Sequence, residues 1–421
     1  MCQIGIQGSA GLRIRESGGG PPEAWLFAIE LLGGPGACAE WPTEGWLAME
    51  SPASTLVLVA HPGDETFAFS SVCAGADIIS VTDGGWQGHA AAFRRACDLL
   101  GGRRASVLNL PDISPCRLAI EVLVSRLTEL GRYSRVYTHS PFEKHSHHRD
   151  VALAASQSFD EVWVRAVGGY AAEAHVLSQA AFGQKLEIIN RLYAHQITAS
   201  AADDHACLAE VTGVEAFVPT CFSEVVKAFA HSSPEIHADV PDIWAFETSP
   251  YEQERYDQMC AVLAQACRED SPASILEIGA CEGAMTRRLR TLFPGAKICA
   301  VEVNPVFAQR LREYLGNDPD TDIVEASILD VPLSADLVLL AEVLYYVPER
   351  LMDILAGVRA KYLLTSYVGN FDDQLSLYLR RCGWHNVLSV QVAPRFEPVD
   401  GRTSFLIVRR PGGNIRLWKL A

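Results

Sequence analysis

From Thr55 onward the apolar positions fall into short β-branched runs separated by longer stretches with helical spacing. TLVLVA (55–60), DIISVT (77–82), SVLNL (106–110), RVYTHS (135–140) and EVWVRAV (161–167) read as strands. HAAAFRRACDLLG (89–101), RLAIEVLVSRLTEL (117–130) and AFGQKLEIINRLYAHQ (181–196) read as amphipathic helices. Such alternation predicts βαβ units and a mostly parallel sheet with helices on both faces. Periodicity weakens between about residues 201 and 242, where HSSPEIHADVPD (231–242) carries the Pro, Ser and Asp of a connection. A second alternating series follows the helix-like SPYEQERYDQMCAVLAQAC (249–267), with SILEIG (274–279), KICAVEV (297–303), DIVEAS (322–327), ADLVLLAEV (335–343) and KYLLTSY (361–367) as strands. NVLSVQV (386–392) and TSFLIVRR (403–410) have no helix between them and predict an antiparallel hairpin. The expected organisation is a leader over 1–50, loose or with short strands near Trp25–Leu32, an α/β domain over 51–230, a linker over 231–248, and a second α/β domain over 249–421.

Composition narrows the partners. Thirty-five basic and 51 acidic side chains give a net charge of −16, which repels phosphate backbones and excludes nucleic acid. No apolar run is long enough to span a membrane, and the first residues lack a signal-peptide h-region, so the expectation is a cytoplasmic protein. The 12 cysteines form no CxxC pair, which predicts free thiols and excludes structural zinc fingers. Oligomeric state stays open.

Two clusters follow directly on predicted strands, where α/β sheets bind ligands. AHPGDE (60–65) follows TLVLVA, and HSHHRD (145–150) lies just beyond RVYTHS. His61 and Asp64 from one loop, met by His148 from another, supply two nitrogens and an oxygen with room for water, as a catalytic Zn²⁺ or similar divalent ion requires. The chemistry of such a set is metal-assisted hydrolysis.

These residues resemble the PIG-L/LmbE family of zinc-dependent N-acetylglucosaminyl de-N-acetylases, whose signatures are AHPDDE and a later HxDH. The resemblance extends through VTDGG (81–85), FRRACDLLG (93–101) and YAHQ (193–196), covering about residues 55–200. It implies His61, Asp64 and His148 as metal ligands and His145 as the imidazole beside the tetrahedral intermediate. Two positions depart from the family: its general-base Asp is Gly63 here, and the Asp of HxDH is His147. Glu65, Asp83 and Glu143 are the carboxylates that could replace the base.

The second chemical signal is ILEIGACEGAMTRRL (275–289), a strand, a glycine turn and a helix, with Glu302 ending the next strand. Gly279 and Gly283 let the backbone approach a ligand, and Glu302 can accept ribose hydroxyls. Glu277, acidic within an apolar strand, suits cationic S-adenosylmethionine better than a phosphate. The stretch resembles the class I methyltransferases, with Cys281 at the middle glycine of their ExGxGxG. WAFETSPYEQERYD (244–257) and LLAEVLYYVPE (339–349) resemble the NodS-type amino-sugar N-methyltransferases over about residues 240–410. By position this implies Ser327 and Ile328 at the adenine, Glu342, Tyr345 and Tyr346 facing the sulfonium and acceptor, and Trp244 with Tyr251 as a lid or a staple.

Together the resemblances imply two Rossmann-like domains in a bifunctional enzyme. Metal-dependent removal of acetyl from an N-acetylated amino sugar would be followed by S-adenosylmethionine-dependent N-methylation of the freed amine. The alternative is an N-methyltransferase carrying a catalytically inactive, sugar-binding deacetylase-like domain.

Overall fold

The β-branched runs become strands because helices cover them on both faces; Leu56, Val57, Leu58 and Val59 are all fully buried. The computed structural model describes residues 13–14, 29–30, 54–85, 88–112, 117–167, 171–196, 211–232, 238–368 and 370–420. Residues 1–51 and 52–421 are separate units. In the first, β1 (Arg13–Ile14) pairs antiparallel with β2 (Ile29–Glu30); the rest of the leader, including most of the stretch around Trp25–Leu32, lies outside the described residues.

The second unit holds two seven-stranded sheets. One contains β3 (Thr55–Val59), β4 (Asp77–Thr82), β5 (Arg104–Leu110), β6 (Arg135–Thr138), β7 (Val162–Arg165), β8 (Glu173–Val176) and β9 (Val214–Thr220), in the order β5-β4-β3-β6-β7-β9-β8. β3 to β7 are parallel, and β9 runs antiparallel to both β7 and β8. The other contains β10 (Ser274–Ile278), β11 (Lys297–Glu302), β12 (Thr321–Glu325), β13 (Ser334–Ala341), β14 (Arg359–Val368) and β15 (Trp384–Val392). A small ribbon, β16 (Arg395–Pro398) with β17 (Ile407–Arg410), precedes the last strand, β18 (Gly413–Leu420). The order is β12-β11-β10-β13-β14-β18-β15. Setting the ribbon aside, both sheets follow one plan: third, second, first, fourth, fifth, seventh, sixth. In each, the strand order reverses beside the first strand, which opens a crevice at the carboxyl ends of β3 and β6, and of β10 and β13.

The antiparallel close is present, with a partner different from the expected one. β15 pairs with β18, while residues 407–410 pair with 395–398. Inside the weakly periodic stretch stand β9 and the helix Phe222–Ser232, neither of which the hydrophobic pattern announced. His147 and His148 sit in the first turn of the helix Ser146–Ser158, not in a loop.

The segment read as a linker packs between the two sheets where it is described. The ring of Trp244 lies 5.6 Å from that of Phe307. Arg310 donates to Glu282 at 2.7 Å and to the Asp239 carbonyl at 2.9 Å, and Arg410 donates to the Trp244 carbonyl at 3.0 Å. One apolar cluster runs from Val225, Val226 and Phe229 to Phe307, Val399, Leu406 and Val408. Among the described residues, no helix is long and apolar enough to cross a membrane.

Candidate functional site

The first cluster assembles at the carboxyl edge of β3 and β6. His61 follows β3 by two residues, and Asp64 opens the short helix Asp64–Ala68. Asp64 Oδ2 accepts the His61 N–H at 2.8 Å and lies 3.4 Å from His61 Nδ1 and 3.5 Å from His148 Nε2. Burial alone would raise the Asp64 carboxyl; the imidazoles, His148 foremost, outweigh it and hold it well below the carboxylate range. Behind His148, Glu143 Oε2 lies 2.5 Å from Nδ1, leaving Nε2 directed at Asp64. A carboxylate gripping the far nitrogen of an imidazole is the support that metal-ligating histidines use. His139, unremarked in the sequence, props the same group: its Nε2 accepts the Ala60 N–H at 3.0 Å and its Nδ1 faces Glu143 at 3.3 Å. The His145 ring lies 4.8 Å from those of His61, edge-on, and His148, tilted; burial and those neighbours lower it to about 3, so it is neutral at pH 7.

The candidate bases behave differently. Glu65 is fully buried, and its carboxylate accepts from Gly63 N–H, Thr66 Oγ1 and Tyr193 OH at 2.7–2.8 Å, beneath the loop. Burial pushes it up to about 7 against those three donors. Adjacent helical residues point about 100° apart, so Asp64 and Glu65 cannot both face the crevice. Asp83 is exposed and accepts the Gly85 N–H in a turn. Glu143 is committed to two imidazoles. Neither Glu65 nor Asp83 joins the histidines. A further carboxylate that does, beside Asp64 and Glu143, is Asp112, two residues past β5, whose Oδ1 lies 3.4 Å from His147 Nδ1 and 3.8 Å from His61 Nε2. No motif surrounds Asp112 in the chain, so nothing in the sequence singled it out.

The second cluster lies at the carboxyl edge of β10, β11 and β13. Gly279 (φ +75°) and Gly283 (φ +92°) flank Cys281, which holds φ +50° in spite of its Cβ. A Cβ on Gly279 would stand 2.3 Å from Val343 Cγ1, and one on Gly283 2.4 Å from Leu311 Cδ1, so a side chain at either would have to push a neighbour's methyl aside besides straining the backbone. Glu302 accepts the N–H groups of Cys281 and Asn304, each at 2.8 Å, latching the turn to the end of β11. Glu277 is buried and accepts from Thr286 Oγ1 at 2.7 Å; burial raises it to about 7. Ser327 and Ile328, half-buried, lie just past β12, with Ser327 Oγ accepting the Leu329 N–H.

Glu342 follows the last residue of β13 at φ +52°, a costly conformation for a side-chain-bearing residue and one that collects at functional sites. Its buried Oε1 has no hydrogen-bond partner among the described residues. Burial pushes it up to about 7, with Arg255 opposing the rise and Glu252 adding to it. Arg255, on the helix Pro250–Ala266, is itself buried and donates to Glu252 at 2.8 Å and Ser366 Oγ at 3.2 Å. The sequence offered a faint sign of it, a Glu252–Arg255 pair at i,i+3. Tyr345 and Tyr346, their rings 4.6 Å apart, are 39% and 58% exposed and stand at the mouth instead of in the core. Tyr251 is buried and donates to the Pro411 carbonyl at 2.6 Å, and Trp244 packs on Phe307, so both act in the packing of their segment.

Residues 229–364 match the family described as Nodulation protein S (NodS). Nodulation protein S of Bradyrhizobium diazoefficiens (strain JCM 10833 / BCRC 13528 / IAM 13628 / NBRC 14792 / USDA 110) is 33% identical over 131 residues, 31% of this chain and 60% of that protein. The chain thus spans less than two thirds of that relative's length. Among solved structures, the N-methyltransferase NodS from Bradyrhizobium japonicum WM9 in complex with S-adenosyl-L-homocysteine shares 18% identity over 44% of this chain and 94% of its own, with a TM-score of 0.36. The magnesium protoporphyrin IX methyltransferase from Synechocystis PCC 6803 with bound SAM shares 13% identity over 47% of this chain and 97% of its own, with a TM-score of 0.33. The family match begins at residue 229 and bears on the second half of the chain.

Proposed function

We propose that this chain transfers a methyl group from S-adenosylmethionine to the amine of an amino sugar, at the carboxyl edge of β10, β11 and β13. The observation that carries the reading is Glu342: half-buried and strained, with one buried carboxylate oxygen left without a hydrogen bond, beside the exposed Tyr345. Residues 229–364 are similar to NodS, and a solved NodS is described as an N-methyltransferase, which supports an amine as acceptor. A cationic cofactor suits the residues present, because Glu277, Glu302 and Glu342 stand at or beside the ends of adjacent strands and burial pushes each toward its neutral form, a cost that a nearby positive charge would offset. When bound, it supplies an electrophilic methyl carbon and its own leaving group. Glu302 would hold the ribose, Ser327 and Ile328 the adenine edge, and Glu342 with Tyr345 and Tyr346 the incoming amine. Alignment of a neutral amine is most of what the protein must provide. Glu342, near pH 7, is poised to take the proton that the amine loses.

A second reading, deacetylation at the histidine cluster, draws on the convergence of His61 and His148 on Asp64 Oδ2. A divalent ion on His61, Asp64 and His148 would acidify a bound water there. Against it stand Gly63 and the burial of Glu65. The N-terminal half therefore reads first as the part that holds the sugar.

One set of incubations tests both. Wild type should bind S-adenosylmethionine in a calorimetric titration and methylate a free amino sugar. Glu302→Gln should weaken binding by about 1.5–3 kcal/mol, the scale of a charged hydrogen bond. Acetate release from N-acetylglucosaminides by zinc-reconstituted protein, absent in His61→Ala, would establish the second reading. Failure to bind the cofactor would sink the first.

A further inference from the structure

We infer that the N-terminal half carries a divalent-cation seat made by His61 Nε2, Asp112 and His147, distinct from the Asp64–His148 side of the same cluster. The three donor atoms form a triangle with edges of 3.0 Å (His61 Nε2 to His147 Nδ1), 3.4 Å (His147 Nδ1 to Asp112 Oδ1) and 3.8 Å (His61 Nε2 to Asp112 Oδ1). A tetrahedral ion with bonds of about 2.0–2.1 Å has donor-to-donor edges of about 3.4 Å, the middle of this range. All three groups gather on one spot, and among the described residues they form one of three such sets of His and carboxylate donors.

The topology explains why they meet. His61 follows β3 and Asp112 follows β5, with β4 between them, and His147 enters from the first turn of the helix Ser146–Ser158. Thr82, the last residue of β4, places its hydroxyl 3.4 Å from Asp112 Oδ2 and 3.0 Å from the Ala60 carbonyl, which ties the Asp112 loop to the His61 loop. His147 is fully buried, and the Asp112 and His61 side chains are each 16% exposed. The seat is thus built into the sheet edge while keeping an opening for water.

One alternative set nearby is less available. In the set Asp64, His139 and His148, the Nε2 of His139 already accepts the Ala60 N–H. His61 offers Nδ1 to Asp64 and Nε2 to His147 and Asp112, so its two nitrogens serve opposite sides. Two imidazoles and one carboxylate select a first-row divalent ion such as Zn²⁺ over Mg²⁺ or Ca²⁺. The ion would be held by these side chains whether or not the site hydrolyses an amide.

The test is Zn²⁺ content and Co²⁺ titration of the full chain, read by the visible absorption of cobalt, with thermal melts to establish folding. Asp112→Asn, nearly isosteric and partly exposed, should lower Zn²⁺ affinity at least ~10-fold, since even outer-shell losses cost that much. His147→Asn should do the same, and His148→Gln should retain an ion at the seat. Wild-type affinity and an unchanged cobalt spectrum in both Asp112→Asn and His147→Asn would overturn the seat, as would a wild type that binds neither ion. Loss of all metal in His148→Gln would also overturn it and would place the ion on the Asp64 side. Unchanged metal in His148→Gln and Asp64→Asn, with loss in Asp112→Asn, would instead remove the Asp64 side and leave this seat standing.

Discussion

At the scale of single residues, position 63 decides what the first cluster can do. Gly63 holds φ +113°, and a Cβ there would come within 2.4 Å of Gln196 Oε1. Gln196 donates to the Pro62 carbonyl at 2.8 Å, so its carboxamide occupies the space an aspartate would need. Gly63→Asp therefore does not restore a base. It should destabilise the protein by about 1–3 kcal/mol, the cost of a strained backbone position, visible as a lower melting temperature. Melting at or above the wild-type temperature would mean that position 63 carries a side chain without backbone strain. The nearby YAHQ segment follows the same logic: Tyr193 caps Glu65, and His195 Nε2 lies 2.6 Å from His89 Nε2, so its residues brace the loop from behind.

At the scale of elements, the helix Pro250–Ala266 governs the second cluster through Arg255. Ser249 caps it, accepting the Glu252 N–H at 3.1 Å, and Pro250 fills its first turn. This start sets the buried Arg255 beside Glu342, where its charge opposes the upward push of burial. Methyl transfer at saturating cofactor should rise as pH climbs through about 7, because Glu342 must lose its proton to accept another. Arg255→Gln removes the opposing charge and should move that midpoint to higher pH; a midpoint unchanged or lowered would detach Arg255 from Glu342. The sign for stability is opposite. A carboxyl raised to about 7 keeps its proton in the folded chain after the unfolded chain has released it, so Glu342 costs stability as pH rises from about 4.5 to about 7.

At the scale of the whole molecule, the seam between the two sheets is the decisive feature. An apolar cluster shared by Phe229, Phe307, Val399 and Leu406, with Arg310 and Arg410 bonding across it, ties the helix that ends the first half to the second sheet. Calorimetry should accordingly show the two sheets melting in one cooperative transition, and Phe307→Ala should lower it by about 3–5 kcal/mol, the range for emptying a buried aromatic site. Two well-separated transitions in wild type would show that the seam contributes little.

The alternating hydrophobic pattern determined the α/β character of both halves, since a strand buried on two faces has to be a continuous apolar run. It also located AHPGDE, HSHHRD and the glycine turn, because ligand chemistry in such sheets gathers directly after strands. β9 escaped it because Pro219 and half-exposed positions dilute the run. What only the tertiary structure decided is which neighbours in space these residues have. Glu65, next to Asp64 in the chain, turns inward because one helical step rotates it by about 100°. Asp112, far from every motif, reaches His61 and His147 because β3, β4 and β5 lie side by side. Donor sets depend on distances of a few ångströms between separate strand ends, and a linear order of residues holds no record of them until the sheet is assembled.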